Sequence, residues 1–313
     1  MRRYALLLLA LAALASTARA APDAPVTLET ATGTLHGSLR LPDSPGPHPV
    51  ALIVAGSGPT DRDGNQPRLL NDSLKQLAAA LAAEGIATVR YDKRGVAASR
   101  AAGTAEKDLR FDHYVDDAAA WIDRLRADRR FARVAIIGHS EGAAIAALAA
   151  GRSKVSAFVS LAGIASRASD VLRMQLRPKL PPALYEKSER ILAALEKGED
   201  PGEIPPELAS LFRPSVQPYL VSWIRHVPAD AYGKLGVPIL IVQGEADIQV
   251  SLVEARALKA AAPKAILEVV PRMSHVLKAV TDDPASQMKG YTDPSVPIVP
   301  SLGPMVARFL AKD

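Results

Sequence analysis

Beyond residue 25, two kinds of apolar pattern alternate along the chain. Short apolar-rich runs stand at 50–55 (VALIVA), 86–91, 134–137, 155–161, 239–242 and 266–270, unbroken at 50–55, 134–137 and 239–242. Runs of this length without polar alternation suit strands buried on both faces. Between them, apolar residues recur every three or four positions. Leu74, Leu77, Ala78 and Leu81 share one helical face behind Asp72, and Val115, Ala119, Ile122 and Leu125 share another behind Asp112; each aspartate suits a helix N-cap. Further helices are predicted over 143–150, 252–261 and 302–310. Residues 26–29 and 34–41, joined near Gly33, predict an antiparallel hairpin. Repeated strand–helix–strand units with buried strands predict an α/β fold, a mostly parallel sheet covered by helices on both sides.

The alternation stops over 166–230. Prolines are frequent there, charged helical stretches such as 185–197 appear, and no clear strand does. Met174, Leu184, Leu211, Phe212, Tyr219, Trp223 and Ile224 nonetheless need something to cover, so the segment predicts a helical cap and not a linker. The core would then be 21–165 and 231–313. A cap with these apolar members over the site predicts an acyl or aryl pocket.

The 313 residues contain no cysteine and are 48% hydrophobic. That excludes a disulfide framework, thiolate-bound metal and a thiol nucleophile, and it excludes a wholly disordered chain. Residues 1–20 (MRRYALLLLALAALASTARA) open with Arg2 and Arg3, followed by an uncharged Leu/Ala run and a small-x-small ending at Ala18-Arg19-Ala20. These are the three parts of a secretory signal, and the apolar run is shorter than a spanning helix needs. An exported protein is therefore expected, periplasmic or extracellular, with no stable membrane insertion after cleavage. Cleavage after Ala20 removes three arginines and no acid, reducing the formal charge from +5 to +2. So small an excess gives no reason to expect a nucleic-acid partner.

Gly138-His139-Ser140-Glu141-Gly142 fits G-x-S-x-G, directly after a predicted strand and before a predicted helix. In that context the turn lifts a serine hydroxyl above the sheet, and the helix N-terminus faces developing negative charge. A serine nucleophile needs a base, and the base needs an acid to hold it. His275, in the loop after the last core strand, is the expected base; His226 lies inside the cap, where packing suits it better. Asp247 is the expected acid, in the loop after strand 239–242, with Glu245 the competitor. Two backbone N–H groups must stabilise the oxyanion. Glu141 supplies one, and the loop Gly56-Ser57-Gly58-Pro59 the other, with Ser57 chosen and Gly58 the alternative.

These features, in the chain order Ser140, Asp247, His275, resemble the alpha/beta-hydrolases. Residues 56–65 (GSGPTDRDGN) and 91–99 (YDKRGVAAS) are similar to a bacterial branch containing esterases and serine-aminopeptidase-like proteins. The resemblance spans the chain from about residue 26, least so in the cap. It implies a carboxylesterase above other activities, with Asp92 and Arg94 shaping the loop beside the site. Asp61, Arg62 and Asp63 would line the mouth or hold their loop. Ala55-Gly56 replaces the His-Gly of many lipases, and Ala97-Ala98 precedes Ser99 where relatives often carry Gly.

The expected chemistry is hydrolysis of small to medium acyl esters through an acyl-Ser140 intermediate, with a small-molecule ester as partner and no cofactor or metal. Three alternatives stay open: an aminopeptidase on short peptides, an acyltransferase, and a non-catalytic binding protein on the same fold.

Overall fold

The computed structural model describes residues 22–312; the expected signal at 1–20 lies outside them. The strands are β1 (Ala24–Thr30), β2 (Gly33–Arg40), β3 (His48–Val54), β4 (Ala87–Tyr91), β5 (Phe131–His139), β6 (Phe158–Leu161), β7 (Ile239–Gly244) and β8 (Ile266–Val270). They form one sheet in the order β1-β2-β4-β3-β5-β6-β7-β8. The N-terminal hairpin pairs antiparallel, β2 also meets β4 antiparallel, and every pairing from β4 to β8 is parallel. β5 starts three residues before its apolar run and ends two after it, because its register along β3 reaches from Phe131 to Gly138.

The helices are α1 (Ser73–Ala83), α2 (Phe111–Ala127), α3 (Glu141–Arg152), α4 (Ala168–Leu176), α5 (Pro182–Lys197), α6 (Ala209–Phe212), α7 (Gln217–Ile224), α8 (Pro228–Lys234), α9 (Leu252–Ala261), α10 (Pro284–Thr292) and α11 (Leu302–Leu310). One face of the sheet buries Leu52, Val89, Trp121, Ile136 and Ile145 together; the other buries Ile53, Leu77, Ile137, Val242 and Val306. Alternate residues of β3 and β5 thus feed opposite cores, as a strand buried on both faces requires.

Elements α4 to α7 fill much of 166–230 and enclose a small core of their own, built on Leu192, Leu195, Phe212, Leu220 and Ile224. Most apolar cap residues are consumed there. α8 packs elsewhere: its Tyr232 is fully buried in the main core, with its hydroxyl 2.8 Å from Ser160 Oγ. α10 has no counterpart in the apolar pattern, because its residues are mostly small or polar and only Gln287 and Gly290 are buried.

Candidate active site

Ser140 stands between the end of β5 and the first residue of α3, with φ 55° and ψ −123°. This is a strained conformation for a residue with a Cβ, of the kind concentrated at functional turns. Its amide bonds Leu161 O at 2.9 Å, which ties the turn to β6. The flanking glycines are sterically required. A Cβ on Gly138 would lie 2.3 Å from Gly142 O, and one on Gly142 would lie 2.4 Å from Val54 O.

The structure pairs Asp247 with His275. Nδ1 of His275 donates to Asp247 Oδ2 at 2.8 Å, and both side chains are buried. The pairing rests on backbone contacts between their loops: Ala246 N donates to Met273 O at 3.1 Å, and Glu245 N to Val270 O at 3.0 Å. Asp247 Oδ1 accepts the amides of Gln249 and Val250, at 2.8 and 2.9 Å. Gln243 Nε2 reaches Asp247 Oδ2 at 3.1 Å. Burial raises the pKa of Asp247, but the adjacent His275 and the backbone amides outweigh it and leave the carboxyl below its ordinary value. Glu245 is exposed. His226 pairs with Asp112 of α2 at 3.2 Å.

Ser140 and His275 line one cavity of about 250 Å³, together with Ser57 of the loop after β3. Its walls come from the loop before α1 (Thr60, Gln66, Asn71), the loop after β7 (Gln249) and α10 (Tyr291). No cap residue between 166 and 230 is among them, so the expected apolar acyl or aryl pocket gives way to a largely polar one. Apart from His139 and His275, no acidic or basic side chain lines it among the described residues. Gln249 Nε2 donates to Tyr291 Oη at 2.7 Å, which leaves the Tyr291 hydroxyl proton free for another acceptor. Gly58, the alternative oxyanion donor, lines a neighbouring cavity with Tyr114, Val216 and Tyr219.

Asp61, Arg62 and Asp63 hold their loop and do not line the cavity. Asp61 accepts the amides of Asp63 and Asn65, both at 2.9 Å. Arg62 pairs with Asp92 at 2.6 Å. Asp63 pairs at 2.8 Å with Arg90, a guanidinium buried in β4, which also binds Asp23 at 2.6 Å. Arg94 forms a two-pronged bond with Asp117 of α2. Asp92 and Arg94 are therefore both scaffold, each with its own partner.

Three residues near the site escaped sequence reasoning. Gln243 supports the acid; the signal was one polar residue in an otherwise apolar strand. His139 Nε2 contacts the His275 carbonyl oxygen at 2.7 Å. Lys93, inside the YDKRG segment, is buried beside Glu141. Neither has a sequence signal beyond its place in a motif.

A family model described as serine aminopeptidase, S33, matches residues 72–195. Esterase EstD of Thermotoga maritima is 31% identical over 219 residues, which is 69% of this chain and 51% of EstD. The chain thus spans about half the length of that curated relative. Est1E from Butyrivibrio proteoclasticus superposes with a TM-score of 0.60 at 18% identity, over 92% of this chain and 99% of that one. Pyrococcus furiosus esterase Pf2001 superposes with 0.56 at 17%, over 92% of each. The chain has the alpha/beta-hydrolase fold, a mostly parallel eight-stranded sheet with flanking helices. Among the described residues, no helix is long and apolar enough to cross a membrane.

Proposed function

We propose that the protein is a serine esterase acting on small esters with polar, uncharged alcohol or acyl parts. The observation that carries this reading is the shared cavity. It joins a serine on a strained strand-to-helix turn to a histidine whose Nδ1 bonds a buried carboxylate.

The chemistry follows from those groups. Ser140 Oγ attacks the ester carbonyl while His275 takes its proton at Nε2, since Nδ1 is committed to Asp247. The amides of Ser57 and Glu141 receive the tetrahedral oxyanion. His275 returns the proton to the departing alcohol and leaves an acyl-Ser140. It then activates water, which releases the acid and frees the serine. Asp247 keeps the imidazole in the right tautomer and stabilises its charged form.

The likeness to Esterase EstD supports an ester over an amide. The aminopeptidase reading draws on the family description, but a carboxylate meets the charge of a free amino terminus best, and among the described residues lining the cavity there is none. The N-terminal signal supports export to the periplasm or beyond.

The test is hydrolysis of p-nitrophenyl acetate, an acetylated monosaccharide and an alanyl anilide by the 21–313 protein and its Ser140→Ala variant. Turnover of both esters, lost by at least about 10³-fold in the variant, is expected. Turnover of the anilide alone would establish the aminopeptidase. Inertness toward all three, with no labelling by an organophosphonate, would leave a binding protein.

A further inference from the structure

One charged cluster beside the site takes no part in the steps above. Lys93 follows β4 and is 1% exposed; Glu141, the residue after the nucleophile, is 2% exposed. Their charges meet at 3.3 Å. The Lys93 ammonium also donates to the carbonyl oxygen of Gly56 and lies 5.0 Å from the centre of the Tyr114 ring. The second oxygen of Glu141 accepts from the hydroxyl of Tyr219, on α7 of the cap. One buried cation thus joins the loop after β3 to the elbow, and the elbow's carboxylate reaches the cap.

Such a pair is a poor device for stability. Removing two charges from water costs about as much as their attraction returns, and an apolar pair of similar volume serves a fold as well or better. The geometry offers another use. The Gly56 carbonyl and the Ser57 N–H are two ends of one planar trans peptide unit and point in opposite directions. Holding the oxygen therefore aims the N–H. A cation at the oxygen also draws electron density through the amide and makes the N–H a stronger donor. The same ammonium restrains Glu141, whose own N–H is the other expected donor. Lys93 itself is held firmly: its neighbours Asp92 and Arg94 are anchored to Arg62 and Asp117.

We propose that Lys93 is the positioning residue of the oxyanion hole, orienting the Gly56–Ser57 peptide and restraining Glu141, with Tyr219 extending the restraint to the cap. This rests on the reading of Ser140 as an acyl-transfer nucleophile. It also selects Ser57 over Gly58 as the second donor, because the peptide Lys93 holds ends in the Ser57 N–H.

The experiment compares wild type, Lys93→Met and the double variant Lys93→Met/Glu141→Gln. It measures kcat and KM on p-nitrophenyl acetate, inhibition by a trifluoromethyl ketone that adds to serine as an oxyanion, and thermal midpoint. Lys93→Met should lower kcat about 10²-fold, the scale of losing one oxyanion donor, with KM within about threefold. Affinity for the ketone should fall by the same factor as kcat/KM. The double variant, with no buried charge left unpaired, should regain thermal midpoint but not kcat. If kcat returns along with the midpoint, or Lys93→Met keeps wild-type kcat, Lys93 serves only the fold and the proposal fails. Should Lys93→Met be too unstable to purify, the double variant against wild type decides it by the same kcat and ketone readings. A wild type with no Ser140-dependent turnover would instead remove the esterase reading, and this inference with it.

Discussion

His139 Nε2 lies 2.7 Å from the backbone oxygen of His275. The residue before the elbow serine therefore bonds the main chain of the candidate base. A carbonyl oxygen can only accept, so Nε2 of His139 carries the proton. The two rings stand 4.9 Å apart. This bond and the Asp247 bond to Nδ1 hold His275 from two sides, one through its backbone and one through its ring.

His139 makes the fold sensitive to mild acid. Its burial, reinforced by His275 beside it, lowers its pKa to about 4, against 6.5 in an open chain. The unfolded chain therefore binds a proton as pH falls through 6.5 while the folded chain resists until about 4. Stability should drop across that window by about 3 kcal/mol, and the term vanishes above pH 6.5 where both states are neutral. Urea unfolding at pH 7, 5.5 and 4.5 measures it, and His139→Leu should flatten the slope. An unchanged slope in the variant would refute the assignment. Asp247, held below its ordinary value, adds a loss only at still lower pH, below about 4.

Asp247→Asn should reduce kcat about 10⁴-fold, because an amide can present its N–H₂ to Nδ1 and favour the wrong tautomer. Gln243→Leu removes one donor to the same carboxylate and should cost about tenfold, the scale of one hydrogen bond. Steady-state kinetics on one ester separates the two. A Gln243→Leu loss as large as that of Asp247→Asn would mean that Gln243 does more than support the acid.

Gly244 ends β7 where the acid-bearing loop meets the base-bearing one. A Cβ there would lie 2.1 Å from Met273 O. Gly244→Ala should therefore destabilise the protein by about 3 kcal/mol, toward the upper end for overpacking, and lower kcat by prising the two loops apart. Thermal unfolding together with turnover checks both effects. Full activity in a variant of wild-type stability would show that the contact yields easily.

Arg94 and Asp117 are 9% and 3% exposed and bond through both prongs of the guanidinium. Arg94→Met leaves a buried carboxylate without its cation and should cost about 3–5 kcal/mol. Arg94→Met/Asp117→Leu should recover most of that loss. Denaturant unfolding of the three proteins is the measurement, and an additive double variant would contradict a coupled pair.

What could be read from the residues was what short-range pattern controls. The apolar-rich runs located β3, β4, β6, β7 and β8, and the glycines around Ser140 marked a turn that side chains cannot make. β5 was under-read because pairing with β3, and not apolar content, sets its ends. α10 was missed because a helix of small and polar residues leaves no apolar stripe, yet its Tyr291 forms part of the cavity wall. The cap illustrates the same limit. Its apolar residues were visible, but whether they faced a substrate or one another depends on packing, and they chiefly face one another. No pattern in the sequence marks Lys93 or Arg90 as buried; their burial depends on the fold.

Arg90 carries a last consequence. It binds Asp63, in the loop bordering the serine, and Asp23, at the outer edge of the sheet just before β1. Edge strands fray before central ones. If warming loosens β1, Arg90 would lose one of its two carboxylates and its hold on the loop that feeds the oxyanion site, while β3 to β7 stay paired. Activity should then fade at a temperature where the bulk of the molecule is still folded, with β1 setting the thermal ceiling of catalysis.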